Sequence, residues 1–518
     1  MTTSRTEVRL AELIAAISLA TDLGTGQPMD HALRSCYVAT AFARELGLPA
    51  QDRFDTYYVS LLRFIGCTAE ASADAEFNAG DDVALYAGLA PSFMGRPSEA
   101  MAWVLRHLAE GSSFSTRARA LAGAFTDPKG AERTIRAHCE VGEMLARRIG
   151  LPESVLRGLL SAFERWDGKG LPNRIADEAI PASSRIAVVA RDLDLLTRLW
   201  GLDQASEMLK ARSGKAYDPR VVQAALEIGA SVMSEVETGP LWDAVLEMEP
   251  GPHLMIEEAR IDDVLTAFGH FVDLKSPFLH GHSTGVAELA AAAARSHHGS
   301  GIDPKTIRRA GLVHDLGRVA VPSGIWNAAR SLSEGEWEQV RLHSYYTERI
   351  LGRCAPLRDL AEVAGSHHER LDGSGYHRGT GARALSPAAR LLATADVFRA
   401  LTEERPHRPA KSRKEAAADL ERACAEGQMD VPCTRAVLEA AGEAGRLPRS
   451  AWPAGLTDRE VDVLRLVAAG LSNKQIAGRL SLSPKTVGHH VEHVYTKLGV
   501  STRAGAALFA MDRGLTGG

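Results

Sequence analysis

Histidine and aspartate residues are concentrated in the middle of the chain, in a pattern that suits metal binding. Of the 18 histidines, 12 lie between residues 253 and 407, which is less than a third of the 518 residues. Neutral imidazole together with carboxylate suits iron, manganese or zinc, and one aspartate can bridge two ions because it has two oxygens. The residues that we expect to bind two divalent metal ions are His282, His314, Asp315, His343, His367, His368 and Asp396.

The adjacent pair His314 and Asp315 is the part of this pattern that indicates two metals. On one turn of a helix, neighbouring side chains point about 100° apart, so we expect the turn to supply a terminal ligand and a bridge. The apolar residues 310–313 before the pair, and Leu316 after it, would bury this turn and hold it rigid. Paired metals generate hydroxide at neutral pH and stabilise both oxygens of a phosphoryl displacement. The pattern therefore predicts hydrolysis of a phosphate ester.

The elements that must position these residues are helices. Apolar residues recur at spacings of three and four along most of the chain, glycine and proline interrupt them, and alternating β-branched runs are scarce. The fold class that we predict is all-α.

An internal repeat divides the chain. A shift of 251 residues places residues 62–66 on 313–317, and a shift of 205 residues places 165–170 on 370–375, with matching residue types. We interpret the repeat as a duplicated helical domain.

The two copies have different lengths. We place the first at about 1–240 and the second at about 250–445. The first copy contains an insertion at about 67–137, which we expect to fold as extra helices and in which we identify no chemistry.

The first copy has lost most of the ligand positions. His31 and His138 fall on His282 and His343. At the remaining ligand positions the first copy has Arg63, Phe64, Ala162, Phe163 and Arg191. A guanidinium or an aromatic ring does not coordinate a metal, so we expect the first copy to be degenerate. It is either a structural partner for the second copy, which the sequence favours, or a pocket for a regulatory ligand.

The second copy resembles the HD-GYP family of bacterial phosphodiesterases over residues 273–408, through the motifs GLVHDLGRVAVP, HHERLDGSGYH and ARLLATADVFRALT. The resemblance implies that Asp315 bridges two ions and that cyclic di-GMP is cleaved to the linear dinucleotide or to GMP. One ion would be held by His282, His314, Asp315 and Asp396, and the other by Asp315, His343, His367 and His368.

Three positions depart from the family pattern. Arg318 stands where a lysine commonly follows the HD motif, which keeps the charge but changes its shape, and His377 stands where the GYP motif has proline. Phe278 stands where members with a third metal carry glutamate, so we expect two ions. The resemblance implies a catalytic role for Asp315 and Arg318, and substrate contacts for Arg318, Gly375, Tyr376 and Arg405.

The sequence predicts a small helical domain from residue 456 onwards, after a proline-containing linker at 446–455. Thr457 and Ser472 begin capping boxes, and Ser483 followed by Pro484 begins a third helix. In this third helix, an apolar stripe at helical spacing is expected to face the core, and it consists of Val487, Val491, Val494 and Leu498.

This domain resembles the LuxR-type helix-turn-helix, as a domain of four helices. From residue 456 it carries eight basic and five acidic residues, a balance that suits contact with phosphate. We expect it to bind DNA as a dimer, since helix-turn-helix proteins commonly read paired half-sites; a helical protein-interaction domain is the alternative. The expected DNA contacts are Lys474, Lys485, Thr486, Gly488, His489 and His493.

Composition limits the remaining possibilities. Six cysteines without a CxxC pair are compatible with a reducing compartment. Neither a signal peptide nor an apolar run long enough to span a membrane is recognisable, so we expect a cytoplasmic protein that does not enter the membrane. The sequence as a whole predicts a signalling regulator that combines a two-metal phosphodiesterase with DNA binding. The alternatives are a transcription factor that senses a nucleotide or metal without hydrolysis, and a hydrolase of another phosphate ester.

Overall fold

The protein is described here by a computed structural model. The described residues are 7–126, 129–297, 301–443, 452–513 and 515–516. Helices dominate this part of the chain and the sheet has only two short strands, which confirms the all-α class. The chain divides into two compact units, 1–261 and 262–518. None of the described helices is both long and apolar enough to cross a lipid bilayer.

Unit 1 begins with strand β1 (Glu7–Arg9), which pairs antiparallel with β2 (Met255–Glu257). Its apolar core contains Val38, Phe42 and Leu193, all of them almost completely buried. The segment expected as an insertion folds as helices. The helices of this unit are α1 (Leu10–Gly24), α2 (His31–Glu45), α3 (Ala50–Leu62), α4 (Ala71–Phe77), α5 (Asp82–Leu89), α6 (Pro97–His107), α7 (Phe114–Thr126), α8 (Gly130–Ile149), α9 (Glu153–Leu160), α10 (Ala182–Trp200), α11 (Leu202–Arg212), α12 (Pro219–Thr238) and α13 (Leu241–Glu247).

Unit 2 contains the second copy of the repeat and the C-terminal domain. A turn of 3-10 helix at Leu316–Ala320 follows the HD pair. The α-helices are α14 (Ile261–Asp273), α15 (His282–Ser296), α16 (Pro304–Val313), α17 (Ser323–Trp326), α18 (Glu334–Arg353), α19 (Arg358–Gly365), α20 (Pro387–Thr402), α21 (Arg413–Ala425), α22 (Val431–Glu443), α23 (Asp458–Ala468), α24 (Asn473–Leu480), α25 (Pro484–Leu498) and α26 (Arg503–Asp512).

The two units begin their repeated helices in the same way. The buried carboxylate of Asp22 accepts hydrogen bonds from the backbone N–H of Ala32, 3.0 Å away, near the start of α2. Asp273 accepts in the same manner from the backbone of Ser283 at 3.1 Å, near the start of α15. An aspartate that accepts from these free N–H groups stabilises the first turn of the helix. The first residue of α15 is His282, so Asp273 anchors the turn that carries this candidate ligand.

Two glycines allow a close approach between a turn and a helix in each unit. An added Cβ at Gly66 would lie 2.0 Å from the carbonyl oxygen of His138, and one at Gly317 would lie 2.0 Å from that of His343. No larger residue fits at either position without movement of the backbone. In unit 2 this contact presses α18 onto the turn that contains Asp315.

The C-terminal helices begin where the sequence predicts. The capping boxes at Thr457 and Ser472 are both formed, and the Ser483 hydroxyl accepts from the N–H of Thr486. Of the predicted apolar stripe in α25, three valines are buried, whereas Leu498 is half-buried because it lies at the end of the helix. Within the predicted linker, residues 446–451 lie outside the described residues, and Pro453–Gly455 form a short 3-10 turn.

We predict that Gly317→Ala destabilises unit 2 and lowers its metal content. The methyl group would meet backbone atoms of α18, and overpacking of this kind costs about 1–3 kcal/mol or more. Gly352→Ala is the matched control, because an added Cβ there meets nothing within 4 Å, and alanine stabilises a helix by about 0.5–1 kcal/mol relative to glycine. Thermal unfolding and metal analysis of both variants measure the difference. An unfolding midpoint for Gly317→Ala at or above the wild-type value would contradict the packing argument.

Candidate metal centre

Three helices and two turns bring the expected ligands together in the interior of unit 2. His282 begins α15, and Asp396 lies in the middle of α20. His314 and Asp315 lie in the turn that follows α16, which ends at Val313, and not within a helix as expected. The reason is that α16 ends in a tight 3-10 turn, which aims both side chains inward. The ligand candidates that are buried are His282, His314, Asp315, His343, His367 and Asp396, while His368 is half-buried.

Asp315 lies between two groups of histidines. Its Oδ2 atom is 3.3 Å from His314 Nε2 and 3.8 Å from His282 Nε2. Its Oδ1 atom is 3.4 Å from Nε2 of both His343 and His367. The two oxygens of one carboxylate therefore face two different sets of imidazole nitrogens, as a bridging ligand must.

Asp396 completes the first group and approaches the second. Its Oδ1 atom is 3.2 Å from His282 Nε2 and 3.7 Å from His314 Nε2. Its Oδ2 atom lies 3.9 Å from His368 Nδ1. The structure thus places all seven sequence-predicted ligands around one pair of positions.

Hydrogen bonds at the outer side of the imidazole rings orient four of the histidines. A ring whose Nδ1 is bound elsewhere presents its Nε2 lone pair to the site, which is the usual arrangement around a protein-bound metal. His314 and His367 are 2.8 and 2.6 Å from their backbone partners, and His282 is 2.8 Å from its carboxylate partner. The partners of His282, His314, His343 and His367 are Glu403 and the carbonyl oxygens of Gly311, Val340 and Ala364.

Several of the atoms that would bind a metal are buried and lack a well-formed hydrogen bond. Nε2 of His282 and of His314, and both carboxylate oxygens of Asp315, have no hydrogen bond of good geometry. Unpaired polar atoms in a protein interior cost free energy unless something binds them. The ligand atoms of His343, His367 and His368 lie within 4.8 Å of one another, as do those of the His282, His314 and Asp315 group. Imidazole and carboxylate at these spacings fit divalent metal ions.

The pKa shifts of His314 and His367, one from each histidine group, have opposite directions. Burial lowers the pKa of His367 to about 4, so this ring is neutral and its lone pair is free for a metal. Burial also opposes the charged form of His314, but the carboxylates of Asp315 and Asp396 outweigh it and raise its pKa to about 10. Burial disfavours the charged form of Asp315 as well, yet Arg318 and His314 hold its pKa well below the usual range. The carboxylate is therefore ionised, as a bridging ligand requires.

Arg318 lies directly beside the bridging carboxylate. Its Nη2 atom is 2.8 Å from Asp315 Oδ2. The guanidinium stacks over the ring of Trp326, 4.6 Å from the ring centroid, and its backbone carbonyl accepts a hydrogen bond from the indole N–H at 3.2 Å. Trp326 therefore fixes the position of the arginine, which lies at the candidate site beside Asp315.

Of the residues expected to contact the substrate, some lie beside the ligand cluster and one does not. The ring of Tyr376 lies against that of His368, with centroids 4.6 Å apart, and Gly375 packs against the backbone of the same turn. Arg405 does not reach the ligand cluster directly. Its guanidinium donates to the carbonyl of Phe278 and lies 2.9 Å from Glu403, so it supports the carboxylate that orients His282.

Sequence reasoning missed three positioning residues. Glu403 holds His282, and nothing in its spacing distinguishes it from a surface glutamate. Trp326 holds Arg318. Asp273 anchors the start of α15, and the repeat contained a signal for it, because Asp22 of the first copy falls on this position.

The loop before His282 packs against the C-terminal domain within unit 2. Gly470, after α23, approaches Pro277 so closely that an added Cβ would lie 2.8 Å from it. The side chain of His280 hydrogen-bonds the backbone of Ala468, and His270 Nδ1 lies 3.0 Å from Asp512 of α26. The segment that carries a candidate metal ligand is therefore in contact with the helices of the C-terminal domain.

The expected DNA-contacting residues lie on the accessible face of α24 and α25. Gly488 is half-buried, and an added Cβ there would lie 3.9 Å from the side chain of Asn473. The exposed members of the set are Lys474, Lys485, Thr486, His489 and His493.

Comparisons with known proteins match two parts of the chain to known families. The model of the HD domain family matches residues 128–221 and 267–431, and that of the luxR family of bacterial regulatory proteins matches residues 454–510. The chain is 32% identical over 428 residues to 3'3'-cGAMP-specific phosphodiesterase 3 of Vibrio cholerae, covering 81% of this chain and 92% of the relative. It is 35% identical to a cyclic di-GMP phosphodiesterase of Pseudomonas aeruginosa over 31% of this chain and 39% of the relative.

A solved structure extends the likeness to the fold. The crystal structure of a cyclic GMP-AMP specific phosphodiesterase from Vibrio cholerae has a TM-score of 0.59 and 28% identity, and the match covers 85% of this chain and 99% of that chain. The chain therefore belongs to the HD-domain phosphodiesterases, and it carries at its C-terminal end a domain of the luxR family of bacterial regulatory proteins.

Proposed function

We propose that the protein hydrolyses a cyclic dinucleotide at a centre of two divalent metal ions, iron or manganese, and that it regulates transcription through its C-terminal domain. The relatives named above act on 3'3'-cGAMP and on cyclic di-GMP. These two molecules share a ring closed by phosphodiester bonds, so they are the substrates to compare.

The observation that carries the proposal is the position of Asp315. One buried carboxylate faces two groups of histidines through its two oxygens, and Arg318 forms an ion pair with one of these oxygens. Two bound ions would supply an activated water and neutralise charge on the phosphoryl oxygens. The histidines act as ligands, and their outer hydrogen bonds keep the lone pairs directed at the site.

Arg318 and Tyr376 are the residues that we assign to the substrate. The guanidinium of Arg318 would bind a phosphoryl oxygen, since its planar donors match that geometry. Tyr376 would offer its ring to a base or sugar, because its face lies next to His368 at the edge of the centre. Trp326 would keep Arg318 in position.

A second candidate function is binding without turnover. The ion pair between Arg318 and Asp315 neutralises the bridging carboxylate with a protein cation. If that pair persists with nucleotide bound, the domain would act as a sensor whose occupancy is transmitted to the C-terminal domain.

The contact between residues 276–281 and the C-terminal domain offers a route for this transmission. His282 is the first residue after this loop, so a change in its position moves residues that touch Ala468 and Gly470. We propose that occupancy of the centre alters the DNA affinity of the C-terminal domain, which would bind its operator as a dimer.

The turnover experiment uses the full chain loaded with iron or manganese, and each of the two cyclic dinucleotides. We expect linear dinucleotide or GMP as product, and Asp315→Ala should reduce the activity to background because the bridge is lost. Asp359→Ala removes an exposed carboxylate of the same unit and is the control. If the metal-loaded protein binds a nucleotide tightly but forms no product, the sensor function is favoured and the enzymatic function is contradicted.

We predict that Glu403→Ala weakens metal binding by about 10–100-fold, because loss of an outer partner frees the ligand His282. Glu362→Ala, which removes an exposed glutamate of the same unit, should leave the affinity unchanged. Competition with a metal chelator measures both affinities. Equal metal affinities for the two variants would rule out the positioning role of Glu403.

We predict that Lys485→Ala weakens DNA binding and reduces the slope of log affinity against log salt by about 1, as the loss of one phosphate contact requires. The control is Lys414→Ala, which removes an exposed lysine of α21. Electrophoretic mobility or anisotropy titrations at several salt concentrations give the slope. An unchanged slope for Lys485→Ala would mean that this side chain does not touch phosphate.

A further inference from the structure

Two buried arginines occupy the pocket of unit 1 that corresponds to the metal centre. Arg63 follows α3 where His314 follows α16, and Arg191 has in α10 the register that Asp396 has in α20. The exposed fraction is 4% for Arg63 and 3% for Arg191. Arginine is rarely buried to this extent without an anionic partner.

Aromatic rings contact both guanidinium groups. Both lie over the ring of Phe64, with Cζ–centroid distances of 5.7 Å for Arg63 and 5.6 Å for Arg191. Arg63 also lies 5.0 Å from the ring centroid of Phe163, and Arg191 lies 5.4 Å from that of Phe93. Such contacts stabilise a cation modestly, and they supply no negative charge.

The carboxylates near the pocket are already engaged. Arg191 Nη1 donates to Asp192, and it donates to the carbonyl oxygen of Ala90 at 2.8 Å. Asp192 also accepts from the hydroxyl of Tyr217. By contrast, Nε and Nη1 of Arg63, and Nε of Arg191, have no hydrogen-bond partner. Within the described part of the chain, Arg63 forms no ion pair.

The guanidinium of Arg63 therefore has no direct anionic partner among the described residues, although Asp192 lies near enough to stabilise its charge in part. Burial, together with the neighbouring charge of Arg191, lowers the pKa of Arg63 to about 10, at which it is still protonated at neutral pH. An unpaired buried charge is strongly unfavourable. An anion bound at this place would remove that cost.

We propose that this pocket binds a phosphate group through Arg63 and Arg191. Guanidinium donors match phosphate oxygens in geometry, and Arg63 and Arg191 together offer three N–H groups that have no partner in the protein. The comparison with unit 2 rests on the proposed function. Unit 2 would bind a phosphodiester through metal ions, whereas unit 1 has two arginine side chains at the corresponding positions. Unit 1 then retains the ligand and does not cleave it, since arginine, phenylalanine and alanine stand at five of its former ligand positions and none of them coordinates a metal.

The phosphate has two possible sources, a free phosphate ion or the phosphodiester of a cyclic dinucleotide. Both present the same anionic oxygens to the arginines. The experiment separates them by using inorganic phosphate, cyclic di-GMP and 3'3'-cGAMP as individual probes.

The test uses the full chain with Asp315→Ala, treated with chelator, so that the metal centre of unit 2 contributes no phosphate site. Calorimetric titration should show binding of at least one probe, and Arg63→Leu should weaken it by about tenfold or more, as expected for a charged hydrogen bond. Binding of inorganic phosphate identifies the free ion as sufficient, and binding of a dinucleotide alone identifies the nucleotide. Binding of none of the three overturns the proposal. Because this background is inactive by design, failure of turnover in the wild-type protein does not affect the result.

Thermal unfolding separates ligand binding from a structural role of the arginine. Without ligand, Arg63→Leu should unfold at the same temperature as its parent or higher, because an unpaired buried charge is removed. Arg185→Leu is the matched variant on α10, since Arg185 is paired with Asp218; it should unfold at a lower temperature and keep the shift produced by the ligand. Loss of that shift in Arg185→Leu but not in Arg63→Leu would contradict the assignment.

Discussion

The carboxylate of Asp315 is the group on which the rest of unit 2 depends. It is buried, it is ionised, and histidines approach it from two sides through different oxygens. A charge in this position persists only if cations surround it. Arg318 supplies one such cation, and the two metal ions that we propose would supply the others. The candidate ligands come from the start of α15, from the turns after α16 and α19, and from the middle of α18 and α20.

The close contact at Gly317 shows how the backbone enforces this arrangement. Because the glycine lets the turn after α16 touch the carbonyl of His343, the HD pair and the helix that supplies a facing histidine cannot separate. The hydrogen bonds that the imidazole Nδ1 atoms form to the carbonyl oxygens of Gly311, Val340 and Ala364 then set the ring orientations. The scaffold thus prepares the ligands before any metal arrives, which reduces the cost of ordering them on binding.

Unit 1 uses the same scaffold for different chemistry. The close approach at Gly66 and the carboxylate of Asp22 at the start of α2 are retained, so the fold has been kept while the ligands have been replaced. Arginine at two ligand positions places positive charge beside the buried cluster that contains Phe64, Ala162 and Phe163. The sequence left two roles open for unit 1, a structural partner or a ligand-binding pocket. The buried guanidinium of Arg63, which has no direct anionic partner among the described residues, favours the ligand-binding role.

The sequence by itself determined the helical class, the repeat, the set of candidate ligand residues and the starts of the C-terminal helices. These features depend on residue type and spacing, on capping residues and on a motif whose members stand close together in the chain. Only the tertiary structure decided that Glu403 orients His282, that Arg405 supports Glu403, and that the loop before His282 touches the C-terminal domain. These contacts join residues that are distant in the sequence, and neither their spacing nor their type distinguishes them from ordinary surface residues. The same reason explains the pocket of unit 1: the sequence placed two arginines at former ligand positions, but only packing shows that both are buried over one ring and that one of them lacks an anion.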